Sequence, residues 1–467
     1  MENTENSEQF RNSISTVSKE GKRVWVYPKR PSGKFHNARK FFSVFLLFIL
    51  FGVPFMKYKG HPFLLLNIID RNFIIFGQKF GPQDFYLFVL GFIAIIVSVV
   101  LFTAIYGRIF CGWACPQTIF LEMVFRKIEY FIEGDSKSQR ALAEADLNFS
   151  KLFKKSVKHL IFYILSFIIA NTFLAYIIGV DELFHIIQSP PSAHLSGFIS
   201  IHIFTIVFYL VFSFFREQAC IIVCPYGRLQ SVLLDKNSLV VAYDYVRGEP
   251  RGKIKKNESR SSGDCIDCNL CVDVCPTGID IRNGIQLECV NCTACIDACD
   301  EVMDKVKKPR GLVRYDSQNG ISDRTGFKFT PRLITYTAIL IGLISVFSFL
   351  LVTRSDFSIT LLRTPGTLYQ SLENNKISNI YDLIIINKTY SPQTLELKIK
   401  NLDADIKFMG DSLSLASQQI YSGRFMVIFD RNKINKSLLN IPISISVLNN
   451  GHEIKTVKTN FLNDTKQ

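Results

Sequence analysis

Outside four short motifs this 467-residue chain contains no cysteine, so none of its twelve thiols is left to fill a core or form a stray disulfide. The stretch after residue 352 has none at all, which excludes a thiol-ligated redox centre there. Acidic residues are the minority, 40 Asp and Glu against 54 Lys and Arg, for a net charge of +14. Such an excess invites a nucleic-acid reading, but the basic residues crowd beside long apolar runs, where positive charge marks the cytoplasmic side of a membrane, and no nucleic-acid partner is expected. The first apolar run lacks a small-residue cleavage site after it, so no removable signal peptide is expected and the amino end should stay in the cytoplasm. Lys and Arg are missing altogether from Asp181 to Ser196, which marks that loop as outside.

What is present in abundance is apolar: 48% of residues are hydrophobic and 41 are Phe. Charge-free runs at 41–56, 85–106, 160–180, 197–215 and 334–352 are each long enough, or nearly so, to cross a bilayer as a helix. The first is the shortest and carries Gly52 and Pro54, so it needs Ala38 to Lys57, with Arg39, Lys40 and Lys57 snorkelling, to span; the apolar patches after it are expected along the interface. Basic residues before the first span (Arg11, Lys19, Lys22, Arg23, Lys29, Arg30, Lys34, Arg39, Lys40) and between the second and third (Arg108 through Lys154, Lys155 and Lys158) put those segments inside. Lys57, Lys59, Arg71 and Lys79 make the first outer loop less clean. Five spans then leave the tail outside and put all cysteine motifs on the inner side, where a reducing cytosol argues against disulfides.

Between spans, Phe120, Met123, Val124, Ile128 and Phe131 recur at helical spacing among Glu122, Arg126, Lys127 and Glu129, which predicts a helix either lying on the inner membrane surface or packed as an amphipathic connector. Beyond the fifth span, alternation at Leu395, Leu397 and Ile399 and again at Ile441, Ile443, Ile445 and Val447, with Asn450-Gly451 as a hairpin turn, predicts an antiparallel β-sandwich.

The central motifs are two runs, Cys265, Cys268, Cys271, Cys275 with Pro276, and Cys289, Cys292, Cys295, Cys299 with Asp300 in place of proline. In C-x2-C-x2-C-x3-C-P, three thiolates from one loop take three corners of an iron-sulfur cube while the fourth reaches the other cube. By that pattern Cys265, Cys268, Cys271 and Cys299 hold one 4Fe-4S cluster, and Cys289, Cys292, Cys295 and Cys275 the other. Structural zinc is the bland alternative, but it wants two C-x2-C knuckles separated by a longer loop.

The remaining motifs are C-x3-C-P pairs, Cys111 and Cys115 before Pro116, and Cys220 and Cys224 before Pro225, each beginning five residues after an even-numbered span. Cysteines four apart share a helical face, and the proline breaks the helix at the second. One span pair plus one cysteine pair therefore looks repeated by the next. The four are a possible copper or redox site: if the halves pack symmetrically they form one four-thiolate site for Cu(I), zinc or an iron-sulfur centre, or a reversible disulfide; otherwise they are buried small side chains at helix ends. His61, His185, His194 and His202 fall toward the outer face, where hydrogen bonding is a commoner fate than copper or haem ligation.

The segments CGWACPQTIF (111–120), EQACIIVCPYGRLQSVLLD (217–235), VAYDYVRGEPRG (241–252), and GDCIDCNLCVDVCPTGIDIRNG with CVNCTACIDACDEVMDKV (263–306) resemble the FixG/CcoG family of polyferredoxin accessory proteins of cytochrome c oxidase. The likeness extends from the WVYP segment near the amino end to the carboxy-terminal domain. It implies a bacterial inner-membrane protein that reduces Cu(II) to Cu(I) for oxidase assembly, a cupric reductase whose partners are oxidase assembly factors or copper chaperones and an unidentified electron donor. It also implies the eight central cysteines as cluster ligands, the four membrane-end cysteines as the paired motif, and an immunoglobulin-like fold for the β domain. Two other readings stand beside it: an electron-transfer subunit of a quinol-oxidising complex of the NapH or NosR type, and a non-catalytic copper-binding scaffold.

The expected architecture is thus a multi-domain membrane protein: a five-helix bundle, an α+β two-cluster ferredoxin module and an all-β sandwich. Its expected boundaries are a cytoplasmic segment 1–37, four spans with both C-x3-C-P pairs 38–235, a cytoplasmic ferredoxin module 236–330, a fifth span 331–353 and a periplasmic domain 354–467.

Overall fold

The computed structural model of the chain describes residues 15–463 except 19, 69–71, 81–83, 254–262, 325–330, 367–368, 373–374, 401–402, 411–412, 418, 432–438 and 450. Arg11, Lys19, Arg71 and Asn450, which entered the charge and turn arguments above, lie outside the described residues. Among those described, five helices are long and apolar enough to cross a membrane. They are α1 (Lys34–Gly52), α2 (Phe85–Tyr106), α3 (Phe149–Ile178), α4 (Leu195–Leu210) and α5 (Pro331–Val352).

The first span starts earlier than Ala38 because its amino end is capped from afar: the Asp297 carboxylate accepts the N–H groups of Phe35 (3.1 Å) and His36 (2.7 Å). Gly33 makes room for that cap, since a Cβ there would lie 2.3 Å from Asp297 Cγ. A 3₁₀ turn at Val53–Phe55 extends it to Phe55, so 22 residues are available to span. Helix α3 is longer than the apolar run predicts, opened by the Asn148 side chain accepting the Lys151 N–H at 2.7 Å and closed at Gly179, whose φ of 89° ends regular helix.

The chain divides into two compact units, one of residues 1–56, 64–67 and 89–347, the other of 57–63, 68–88 and 348–467. In the second unit, β1 (Phe357–Arg363), β2 (Gln370–Leu372), β3 (Lys376–Asn387), β4 (Gln393–Ile399), β5 (Asp405–Phe408), β6 (Ser414–Leu415), β7 (Ile420–Asp430), β8 (Asn440–Asn449) and β9 (His452–Leu462) form two antiparallel sheets. One runs β5-β7-β3-β1 with β2 on β3, the other β6-β4-β8-β9. Their inward residues, among them Tyr381, Phe425, Val427, Leu395, Ile443, Ile445 and Phe461, make one core, which is a sandwich. Asn449 pairs with His452, so the β8-β9 connection has the two-residue length that Asn450-Gly451 predicts.

The segment after the first span, whose apolar patches are expected along the interface, has regular secondary structure. It folds into short paired strands, Lys57–Tyr58 with His61–Pro62 and Asn72–Ile75 with Gln78–Phe80. Within the second unit His61 stacks on Tyr390 at 4.2 Å, and Asp84 takes both Arg354 and Lys388 at 2.6 Å. His61 is thus occupied by an aromatic partner, and His202 bonds the Phe198 carbonyl one turn back.

Candidate metal centres

Residues 117–133 form a continuous helical rod with a π-helical stretch at Phe120–Phe125. The packed-connector alternative holds, and the rod is buried more deeply than an amphipathic pattern implies. Its apolar side, Phe120, Leu121 and Phe125, packs on Phe162 and Ile169 of α3 and on Phe212. Its charged residues are buried too: Arg126 is 1% and Glu129 4% exposed. They survive there because each charge is paired. Arg126 meets Glu122 (2.9 Å) and Glu217 (3.1 Å), Arg216 makes a two-pronged bond to Glu129 (2.9 and 3.1 Å), and Lys158 meets Glu133 (2.9 Å). Arg126 also donates to the Pro276 carbonyl at 3.0 Å, tying this network to the residue after Cys275. Replacing Arg126 by Met, which strands Glu122 and Glu217, is expected to cost about 3–5 kcal/mol, read as a lowered unfolding midpoint in detergent.

The two central cysteine runs share a backbone. Asp267 and Asn269 flank Cys268 with φ of 55° and 60°, and Asn291 and Thr293 flank Cys292 with φ of 54° and 65°. Left-handed residues on both sides of the middle cysteine curl each loop tightly and turn successive amides inward, a cradle suited to an anion. Nothing in the sequence pattern beyond the preference of Asp and Asn for such angles signals this. A short helix follows each loop, Leu270–Asp273 and Ala294–Lys305, and carries the third cysteine of its run.

Two cavities result. One is lined by Cys265, Cys268, Cys271 and Cys299 with Tyr243, Val302, Met303 and Leu312. The other is lined by Cys275, Cys289, Cys292 and Cys295, with Cys271 on the shared wall and Ile279, Ile281 and Val290 around them. The fold thus crosses the fourth cysteine of each run to the other run's cavity. Among the described residues no three His, Cys, Asp or Glu side chains close on one point as a single ion demands. Thiols ranged around a cavity are what a cube needs, so the residues present fit 4Fe-4S clusters. Burial pushes the thiols of Cys271, Cys289 and Cys299 up to about 12 and that of Cys292 to about 11, which favours the neutral thiol where no metal is bound. Cys268 is the one exposed thiol of the eight, so solvent reaches the first cavity at that side chain.

The C-x3-C-P pairs repeat their geometry as well. After α2 a left-handed Gly107 (φ 60°) precedes the helix Ile109–Trp113 with Cys111; after the π turn Val211–Phe215 a left-handed Arg216 (φ 52°) precedes the π turn Ala219–Val223 with Cys220. Cys115 and Cys224 are both extended, ψ 124° and 114°, and both are followed by proline in the first turn of a new helix. Arg108 locks the two repeats together, donating to Gln230 Oε1 (2.7 Å) and the Gly227 carbonyl (2.9 Å), while the Cys111 thiol donates to the same Gln230 oxygen (3.2 Å). Cys220 bonds Thr118 and feels Cys115, Cys111 and Cys224 electrostatically; burial, then these neighbours, push its thiol to about 12. The four thiols are therefore neighbours, without closing on a single point.

Close packing joins this thiol group to the second cavity. A Cβ on Gly112 would lie 2.5 Å from the Val290 carbonyl and 2.7 Å from that of Asn291, so only glycine lets the Cys111 helix lie on the loop leading to Cys292. Cys111 packs in one apolar cluster with Val274, Val290, Cys292 and Cys295. Trp113 donates to the Tyr315 hydroxyl (3.2 Å), which donates to the Asn291 carbonyl (3.0 Å). The WVYP segment straps the other side: Trp25 lies under Arg23 at 3.8 Å, the Tyr27 carbonyl accepts Ser136 Oγ at 2.6 Å, and the Pro28 carbonyl accepts the Tyr130 hydroxyl at 3.1 Å.

Comparison with known proteins places iron-sulfur domains over both cysteine regions. Family models match a 4Fe-4S dicluster domain at residues 215–318, a 4Fe-4S binding domain at 87–133 and the Ig-like fold at the C-terminal of FixG at 347–464. The chain is 35% identical to protein RdxB of Cereibacter sphaeroides over 84% of its length and 85% of the relative's. It is 33% identical to protein RdxA of the same organism, covering 81% and 82%, and 30% identical to the nitrogen fixation protein FixG of Rhizobium meliloti, covering 87% and 84%.

Proposed function

The chain belongs to the FixG family of membrane-bound iron-sulfur electron-transfer proteins, and from that premise we propose that it reduces Cu(II) to Cu(I) in support of cytochrome c oxidase assembly. The observation that carries this reading is the contiguity of the thiol group with the second cysteine cavity through Cys111, Cys292 and Cys295. In this reading Cys265, Cys268, Cys271 and Cys299 ligate one cluster and Cys289, Cys292, Cys295 and Cys275 the other. When bound, the two 4Fe-4S clusters supply one-electron reduction, one electron per Cu(II), replenished by an external donor. The apolar side chains of Tyr243, Met303, Leu312, Ile279 and Ile281 form the inner walls of the cavities and limit water there, leaving the Cys268 edge exposed. Exposed Cys268 marks the edge where a donor would approach. Cys111, Cys115, Cys220 and Cys224 receive copper as substrate, because thiols favour Cu(I) over Cu(II) and so make its reduction easier.

Basic residues flanking α1 and α3 support an orientation with the cysteine motifs in the cytoplasm of a bacterium and the β-sandwich in the periplasm. Cells lacking the chain should assemble an oxidase depleted in copper that recovers when copper in the medium is raised; unchanged oxidase copper would remove the assembly role.

One observation favours a second use of the four membrane-end thiols. The 4Fe-4S binding domain matched at 87–133 contains just Cys111 and Cys115, and the four thiols are spread rather than closed on one ion. A third iron-sulfur centre shared by the two pairs would satisfy both. Iron and sulfide in excess of two clusters, lost when the four are changed to Ser, would decide for it.

A further inference from the structure

A further cavity among the described residues holds no cysteine. It measures about 610 Å3 and lies between the segment before α1, the first turns of α1 and the rod at 117–133. Arg30, Arg39, Lys40 and Lys127 line it, against a single carboxylate, Glu122, whose charge is already met by Arg126 at 2.9 Å. The cations of the lining repel one another, and Lys127 loses basicity through burial and then through Lys40, Arg30 and Arg39; the Asp297 and Asp135 carboxylates beside the cavity accept backbone N–H groups of Phe35, His36 and Arg30. Arg39 is 3% exposed; its Nε donates to the Gly112 carbonyl at 2.6 Å, yet its buried Nη2 has no hydrogen-bond partner. An unsatisfied buried guanidinium nitrogen is costly, and an anion in the cavity would satisfy it.

The position of the cavity narrows the anion. His36, Asn37 and Lys40 of its lining belong to the opening turns of a membrane span. On that helix face, one and two turns further along, Phe41, Val44 and Phe48 are exposed at 79%, 57% and 76%, a lane for an acyl chain. Phe131, on the opposite rim, is 91% exposed. We propose that this cavity binds the headgroup phosphate of an anionic phospholipid, with the acyl chains lying along Phe41, Val44 and Phe48. The site is built from residues outside the cysteine motifs and stands whether or not copper is the electron acceptor.

The test uses the full-length, cluster-loaded protein in detergent, titrated with phosphatidylglycerol, phosphatidylcholine or inorganic phosphate and read by native mass spectrometry and thermal unfolding. Phosphatidylglycerol should be retained and raise the melting temperature, while phosphatidylcholine should not. The variant K40Q/K127Q, which alters one exposed and one half-buried side chain, should bind phosphatidylglycerol about 25-fold more weakly at unchanged iron content, from about fivefold per lysine. R30Q/K127Q should read the same loss from the other rim. Equal affinity for the two lipids, or unchanged affinity in both variants, would overturn the site; stabilisation by inorganic phosphate matching that by phosphatidylglycerol would overturn lipid as its source.

Discussion

Cys292→Ser is expected to remove about half of the protein's iron and one of two reducible iron-sulfur signals in EPR, leaving the other intact. Cys292 is buried on the wall of the cavity it shares with Cys275, Cys289 and Cys295, and a serine oxygen is a harder, poorer ligand for iron in a sulfide cube. The informative companion is Cys275→Ser. Cys275 sits in the first run by sequence but in the second cavity by fold, so it should erase the same signal as Cys292→Ser. Cys299→Ser should instead erase the signal lost in Cys268→Ser. If Cys275→Ser and Cys268→Ser removed one common signal, the exchange of fourth ligands between the runs would be wrong.

Changing Cys111, Cys115, Cys220 and Cys224 together to Ser should leave both of those signals in place while slowing the reaction of the reduced protein with Cu(II) more than about 100-fold. Changes one shell out from a metal already cost 10–100-fold, and these side chains would be the ligands themselves. The fold should tolerate the change, because Arg108 holds the two repeats through Gln230 and Gly227 without help from the thiols. Copper turnover at the original rate in this variant would show that electrons leave the clusters elsewhere, for example at the exposed Cys268 edge.

The features legible in the sequence were those with short-range signatures. Cysteine spacing marks the two runs because each cube takes three ligands from one tight loop, and proline after Cys115 and Cys224 marks the helix breaks seen at both. Alternation at Ile441, Ile443, Ile445 and Val447 marks a strand with one face in a core, and all four are buried in the sandwich. What escaped was set by partners distant in sequence. Arg126 and Glu129 look like the wet side of a surface helix, yet both are buried because Glu217 and Arg216, some 90 positions later, neutralise them. The start of α1 depends on Asp297, and the strands after α1 belong with a domain that begins near residue 348. No periodicity within either segment records such a partner.

The most direct measurement is an anaerobic single turnover. The purified protein, its clusters reduced with dithionite and the excess removed, is mixed with Cu(II) in the presence of a Cu(I) chelator while cluster absorbance is followed. Re-oxidation of the clusters in step with formation of one Cu(I) complex per electron lost is the predicted result. Copper bound with the clusters left reduced, or a preparation containing zinc and no EPR signal after dithionite, would contradict it.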